Sequence, residues 1–211
     1  MYLDVRATMI AFAGEKKDTR TVKVMLVKKG SKWSLPVVDL DNDHEIGDLL
    51  LSTLDNAVNP YIRQIHAYDE AYREIGRTIT VSHVALVRNT DVTYNRGQSE
   101  WFDMKFNWGT NSRVVSVDVI DADGNIVELV HGHDSFLCDA VNDVLDHVYG
   151  KNDIFYLVNE QFTLRDLQDV YEFFIGGEFM AFRRFIQPYV EATGEKERGV
   201  GRPSQLFIRK A

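Results

Sequence analysis

Residues 162–190 read FTLRDLQDVYEFFIGGEFMAFRRFIQPYV. Thr163 stands where a helix N-cap is needed, and Asp166 follows three residues later. This is a close variant of the capping box, in which each of the two residues satisfies a backbone N–H near the other. Leu164, Leu167, Val170, Tyr171 and Phe174 then recur at helical spacing and define one apolar side. The pair Gly176-Gly177 ends the helix, because glycine accepts the left-handed conformation that closes one. A second helix is expected in EFMAFRRFIQPYV, with Phe179, Phe182, Phe185 and Ile186 apolar and Arg183-Arg184 turned outward.

The chain continues as EATGEKERGVGRPSQLFIRKA, two short strands joined by a Gly-rich, basic tip. Helix, turn, helix and β-hairpin in this order make the winged-helix arrangement. Upstream the style is different. The segments 3–12 and 22–28 are rich in β-branched and apolar residues, with GEKKDTR between them as a polar turn, so a hairpin is expected. PYIRQIHAYDE and RTITVSHVALV are two further strands around the loop AYREIG. The second alternates at Ile79, Val81, His83 and Ala85, the pattern of a half-buried strand. RVVSVDVIDADGNIVELV predicts another hairpin, with Gly124 supplying positive φ at the turn. Two helices are expected among these strands. The first spans 45–58, with Ile46, Leu49, Leu50, Thr53, Leu54 and Val58 on one face. The second spans 134–149, capped by Asp134 or Ser135, with Phe136, Leu137, Ala140, Val141, Val144, Leu145 and Val148 inward and Gly150 closing it.

Composition bounds what such a chain does. With 211 residues, 45% hydrophobic and 27% charged, one large or two smaller packed domains are expected. No run of about 18 apolar residues occurs, so no membrane-spanning helix is expected. The N-terminus lacks the basic flank and cleavage site of a signal peptide. The single cysteine, Cys138, rules out an intrachain disulfide and is expected to be a small buried hydrophobe in a cytoplasmic protein. The formal net charge is -8, which argues against nonspecific nucleic-acid binding by the whole surface. Residues 151–211 hold nine Lys+Arg and nine Asp+Glu, so residues 1–150 carry the entire excess. That asymmetry suggests two modules with different partners, 1–150 and 151–211.

The order of strand hairpin, KWSLP at Lys32–Pro36, loop and amphipathic helix resembles the Nudix hydrolase fold. The Nudix box follows a Trp-x-Leu-Pro-Gly-Gly segment, and its glutamates hold Mg²⁺ on a pyrophosphate. Hydrolysing a polyanion at neutral pH requires charge neutralisation and a metal-generated hydroxide. Trp33, Leu35 and Pro36 match the lead-in, and the glycine pair becomes Val37-Val38. Aligned without gaps, the first glutamate of the box falls on His44 and its Arg-Glu pair on Ser52-Thr53. The two metal-binding glutamates fall on Asn56 and Ala57, and the closing glycine on Asn59. These side chains do not supply the negative charge that a hard divalent cation requires. Asp41, Asp43, Glu45 and Asp48 are acidic but precede that register.

The C-terminal segments resemble the winged helix of the NrtR family, the Nudix-related transcriptional regulators. The matching pieces are Phe162-Thr163-Leu164, Leu167-Gln168, Val170-Tyr171-Glu172, Phe182-Arg183-Arg184, Thr193-Gly194 and Gly201-Arg202-Pro203. EWFDM at Glu100 and HGHDSFLCDAV resemble that family's connecting segment and linker helix. The resemblance implies a Nudix-like α/β/α sandwich with a mixed sheet, followed by a small winged helix-turn-helix domain. It implies a ligand-controlled repressor of NAD, nucleotide or sugar metabolism genes, with ADP-ribose or a related nucleotide as effector and no catalytic cofactor.

Several residues are candidates for these roles. Arg183 and Arg184 suit phosphates or base edges, and Lys196, Arg198 and Arg202 belong to the wing, where a Gly-Arg-Pro tip lays an arginine into the minor groove. The competing readings are a solvated helix face and a basic turn. Arg73 and Arg77 in YREIGRT, with Arg6 on the first strand, are candidates to grip a diphosphate without metal; a charged hairpin loop is the alternative. His131 and His133 have metal-ligand chemistry, but no third ligand is evident in the sequence nearby, so no metal site is expected. A winged helix of zero net charge gains little from counterion release, and a homodimer on a palindromic operator doubles its contacts. The rival readings are a Mg²⁺-dependent Nudix hydrolase of ADP-ribose or a nucleotide sugar, using Asp41, Asp43 and Glu45, and a protein-interaction module.

Overall fold

Alternation of apolar residues on both faces makes β1 (Tyr2–Gly14) the centre of the molecule. Ile10 and Phe12 point into one core cluster, and Ala7, Met9 and Ala11 into a second on the opposite face; all five are fully buried. The computed structural model describes residues 2–14, 22–40, 48, 52, 60–70, 76–88, 99–130, 132–149, 152–197 and 203–210. β1 pairs antiparallel with β2 (Val22–Lys29), as the hairpin reading requires. Its earlier residues pair instead with β4 (Val37–Asp39), which follows the short β3 (Lys32–Ser34). β5 (Tyr61–Glu70) and β6 (Gly76–Val87) form an antiparallel pair, and β6 lies parallel to β1 along almost its whole length. β7 (Ser99–Trp108) and β8 (Val114–Ile120) complete a mixed sheet of order β5-β6-β1-β2-β7-β8.

Two strand expectations need correcting. β6 is half-buried only in its first part: Ile79 and Val81 are partly exposed, but Ser82 to Val87 are all buried, because Val84 and Leu86 pack into one core cluster and Ala85 and Val87 into the other. Fully covered strands lose the polar–apolar alternation. The arm after β8 begins as the expected hairpin, with Ile120 opposite Ile126, and then leaves it. Asp121 holds the turn through Asn125 and Gly124, whose φ is 85° as anticipated. The Val127 N–H donates to the Val119 carbonyl, but the chain then crosses to Trp33, with Val130 N–H on the Trp33 carbonyl at 2.8 Å. The KWSLP segment is thereby held from both sides.

Helix α1 (His133–His147) packs Phe136, Leu137, Ala140, Val141 and Val144 onto the sheet, with Val148 just beyond its end. Its cap is Gly132 at φ 86°, not Asp134 or Ser135; the Ser135 hydroxyl donates back to the Gly132 carbonyl. A left-handed Gly132 starts the helix at His133, so those side chains already stand inside its first turn, past the capping position. The Leu35 N–H donates to His133 Nδ1 at 2.9 Å, and burial pushes that imidazole down to about 4. Cys138 is only half-buried, its thiol donating to the Val114 carbonyl. Of the helix expected at 45–58, Asp48 and Ser52 are helical and the rest lies outside the described residues, as do His131 and Gly150.

A 3-10 turn (Asn152–Leu157) leads into β9 (Phe162–Thr163) and α2 (Leu164–Ile175). These do not stand apart from the sheet. Phe174 is fully buried, with its ring 6.1 Å from Phe12 and 6.0 Å from Phe106, and Phe173 lies 4.9 Å from Phe106. Gly176 closes α2 at φ 68°, and a Cβ there would meet the Trp108 indole at 2.6 Å. At the sheet's β5 edge, Arg63 donates to Asp143 of α1 at 2.5 Å and lies 3.7 Å from Asp153 of the 3-10 turn. Tyr61 stacks on Tyr156 beside them. One apolar core, edged by a partly buried ionic cluster, therefore runs from the sheet into the C-terminal elements.

Phe174→Ala is expected to lower stability by about 3–5 kcal/mol, read from the denaturant midpoint of the intact chain. The His133 shift has a defined sign. Its folded value lies below the ordinary 6.5, so its contribution to stability is full above that value and is lost as the pH falls toward about 4. His133→Asn should flatten the stability profile between pH 6.5 and 4 relative to the parent, measured by urea unfolding at each pH.

Candidate nucleic-acid interface

The capping box anticipated from sequence is formed: Thr163 N–H donates to Asp166 Oδ2 at 2.9 Å, and Asp166 N–H to Thr163 Oγ1 at 3.2 Å. α2 buries Leu167, Val170, Tyr171 and Phe174. After Gly176 the turn is braced by Glu172, whose carboxylate accepts from Gln168 Nε2 at 2.7 Å and from Phe179 N–H at 3.0 Å. Glu172 was missed as a structural residue, although its spacing from Gln168 on one helix face is a readable signal.

The second helix, α3, is shorter than expected and spans Phe182–Ile186, continued by a 3-10 turn Gln187–Tyr189. Pro188 has no N–H to donate, and Phe179 stays in the preceding turn. Phe182 and Ile186 are buried. Tyr171, Phe179, Phe182 and Phe185 form a ring cluster with centroid separations of 5.2–6.2 Å. With one side of α3 fixed in this way, Arg183 and Arg184 are forced into solvent, as the sequence reading required. Neither makes an ion pair among the described residues. They line an open groove of about 1010 Å³ with Met180, Arg165, Gln168 and Glu172. Arg165 is engaged by the buried Asp169 at 2.8 Å.

The wing consists of β10 (Val190–Glu197) and β11 (Ser204–Arg209), with β11 also pairing β9. Gly194 at φ 83° sits at a register shift between Ala192 and Lys196. Lys196 is exposed opposite Gln205; Arg198 and Arg202 lie outside the described residues. Arg6, on β1, pairs its Nε with Asp39 Oδ1 at 2.9 Å. Arg77 belongs to β6, with its side chain outside the described residues, as is all of Arg73.

Residues 154–208 match the family model described as the NrtR DNA-binding winged helix domain. The C-terminal module is an NrtR winged helix. Two crystal structures of Shewanella oneidensis NrtR share the whole fold. The one complexed with a 27mer DNA is 21% identical, with TM-score 0.75 over 98% of this chain and 93% of that one. The other is 20% identical, with TM-score 0.72 over 98% and 94%. A MutT/nudix family protein from Enterococcus faecalis is 17% identical, with TM-score 0.78 over 100% of this chain and 89% of that one. The comparison with curated proteins gives no match. The fold is therefore Nudix-like α/β with a C-terminal winged helix, and residues 154–208 have the character of a DNA-binding domain. Among the described residues no helix is long and apolar enough to cross a membrane.

Arg183→Ala and Arg184→Ala are each expected to weaken duplex binding by about fivefold or more, by fluorescence anisotropy at fixed salt. Arg113→Ala, which removes a surface pair with Asp146, should leave binding unchanged.

Proposed function

We propose that the chain is a ligand-responsive repressor, in which a catalytically inactive Nudix-like unit, residues 1–150, senses a nucleotide for the DNA-binding unit, residues 151–211. The effector is ADP-ribose or a related NAD-derived nucleotide, and the regulated genes serve NAD, nucleotide or sugar metabolism. The carrying observation is the exposed Arg183-Arg184 pair on a helix whose Phe182 and Ile186 are buried. Two exposed guanidinium groups on a fixed helix suit phosphates and base edges. The low charge of this module supports a homodimer, since two copies double the phosphate contacts and match a twofold operator.

The loss of the box glutamates at Asn56 and Ala57 supports sensing without turnover. Arg6, Arg73 and Arg77 are the cationic candidates for the effector's diphosphate. A diphosphate reaching Arg6 displaces Asp39 from an exposed pair, which costs about 1 kcal/mol or less. The continuous core between sheet and α2 supports transmission, because an effector that favours one arrangement of the sheet also biases the mount of the recognition helix. A Mg²⁺-dependent hydrolase of ADP-ribose is the alternative, and its fold-level support is the similarity to the Enterococcus protein.

One experiment separates the two. The purified protein is titrated onto a duplex from upstream of its own coding sequence, with and without ADP-ribose, and a parallel sample with Mg²⁺ is assayed for cleavage of the diphosphate. Binding that falls steeply with salt, weakens with ADP-ribose and leaves the nucleotide intact is expected. Rapid Mg²⁺-driven cleavage with no duplex binding would establish the hydrolase instead.

A further inference from the structure

Met180 is 90% exposed, more than any other large apolar side chain among the described residues. It stands two residues ahead of α3, immediately before the capping residue Ala181. Its neighbours Phe179 and Phe182 turn inward to the ring cluster, so the backbone that seats them points Met180 out. The same groove is lined by Met180, Arg183 and Arg184. Its acidic residues Asp169, Glu172 and Glu178 equal in number its arginines 165, 183 and 184, so the groove is not a simple phosphate trap. At the entry of a DNA-reading helix, an unbranched, polarizable thioether is held in water, 90% exposed among the described residues. The major groove offers one apolar group, the C5-methyl of thymine, which the arginines do not recognise.

We propose that Met180 is a specificity residue that packs on a thymine methyl in each half-site, beside base or phosphate contacts made by Arg183 and Arg184. This rests on the DNA-binding reading given above and assigns a base preference to it. Covering one methyl removes about one CH₂ equivalent of apolar surface from water, which corresponds to about three- to fivefold in affinity. Because the side chain is exposed, its truncation leaves the fold intact.

The test uses the intact protein and a duplex recovered by it from a randomised library, with each thymine replaced in turn by uracil, which lacks only the methyl. Parental protein should lose about three- to fivefold at one thymine per half-site. Met180→Ala should bind the thymine and uracil duplexes equally there, and Met180→Leu should restore the preference. An unchanged sedimentation profile for Met180→Ala is expected, and altered oligomeric state would assign the side chain to a subunit contact and overturn the proposal. A uracil effect that survives in Met180→Ala, or no uracil effect at any position, also overturns it while leaving DNA binding established. Recovery of no duplex at all would instead overturn the DNA-binding reading, and this inference with it.

Discussion

Burial of Phe174 between Phe12 and Phe106 is the contact on which the rest of the molecule depends. Phe12 belongs to the central strand and Phe174 to the first helix of the winged helix, and both are fully buried. A domain boundary drawn from composition between 150 and 151 cuts through this core. Exposed linkers permit neighbouring domains to move independently, whereas a shared apolar core does not. Trp108 lying on Gly176 reinforces the same seam from β7. The recognition helix is therefore carried on the sheet rather than tethered to it.

The ionic cluster at Arg63 has a different physical character. Arg63, Asp143 and Asp153 are each less than a fifth exposed, and the His147 ring lies against the guanidinium at 2.7 Å. Burial raises the Asp143 carboxyl, while the Arg63 charge beside it acts in the opposite direction. Such groups add little net stability compared with apolar residues, but losing one partner is expensive. They therefore specify one alignment of β5, α1 and the 3-10 turn more than they strengthen it. The aromatic seam supplies the affinity between the two halves and the ion cluster supplies the register.

Features encoded locally were legible in the sequence. The capping box at Thr163 and Asp166 depends on residues three apart, and the apolar side of α2 on a 3.6-residue period, so both emerge from a single window. The outward placement of Arg183 and Arg184 follows from the inward placement of Phe182 and Ile186. What depends on distant chain segments was not legible. Nothing in RTITVSHVALV reveals that both faces of its later half will be packed, so Ser82 passed for the polar side opposite His83 and Ala85. Nothing around Asp134 distinguishes a side-chain cap from the left-handed Gly132 that replaces it. The exposure of Met180 was hidden by its apolar neighbours, because only the structure tells which of four consecutive nonpolar residues the ring cluster takes in.

If sheet and winged helix are one body, their backbone hydrogen bonds open together. Native-state hydrogen exchange of the intact chain measures this directly, by comparing the slowest amides of Leu164–Ile175 with those of β1 and β6. The account predicts that both sets exchange through the same global opening, with equal free energies. A helix 164–175 that opens at a free energy several kcal/mol below that of the sheet, while the sheet stays protected, would contradict it.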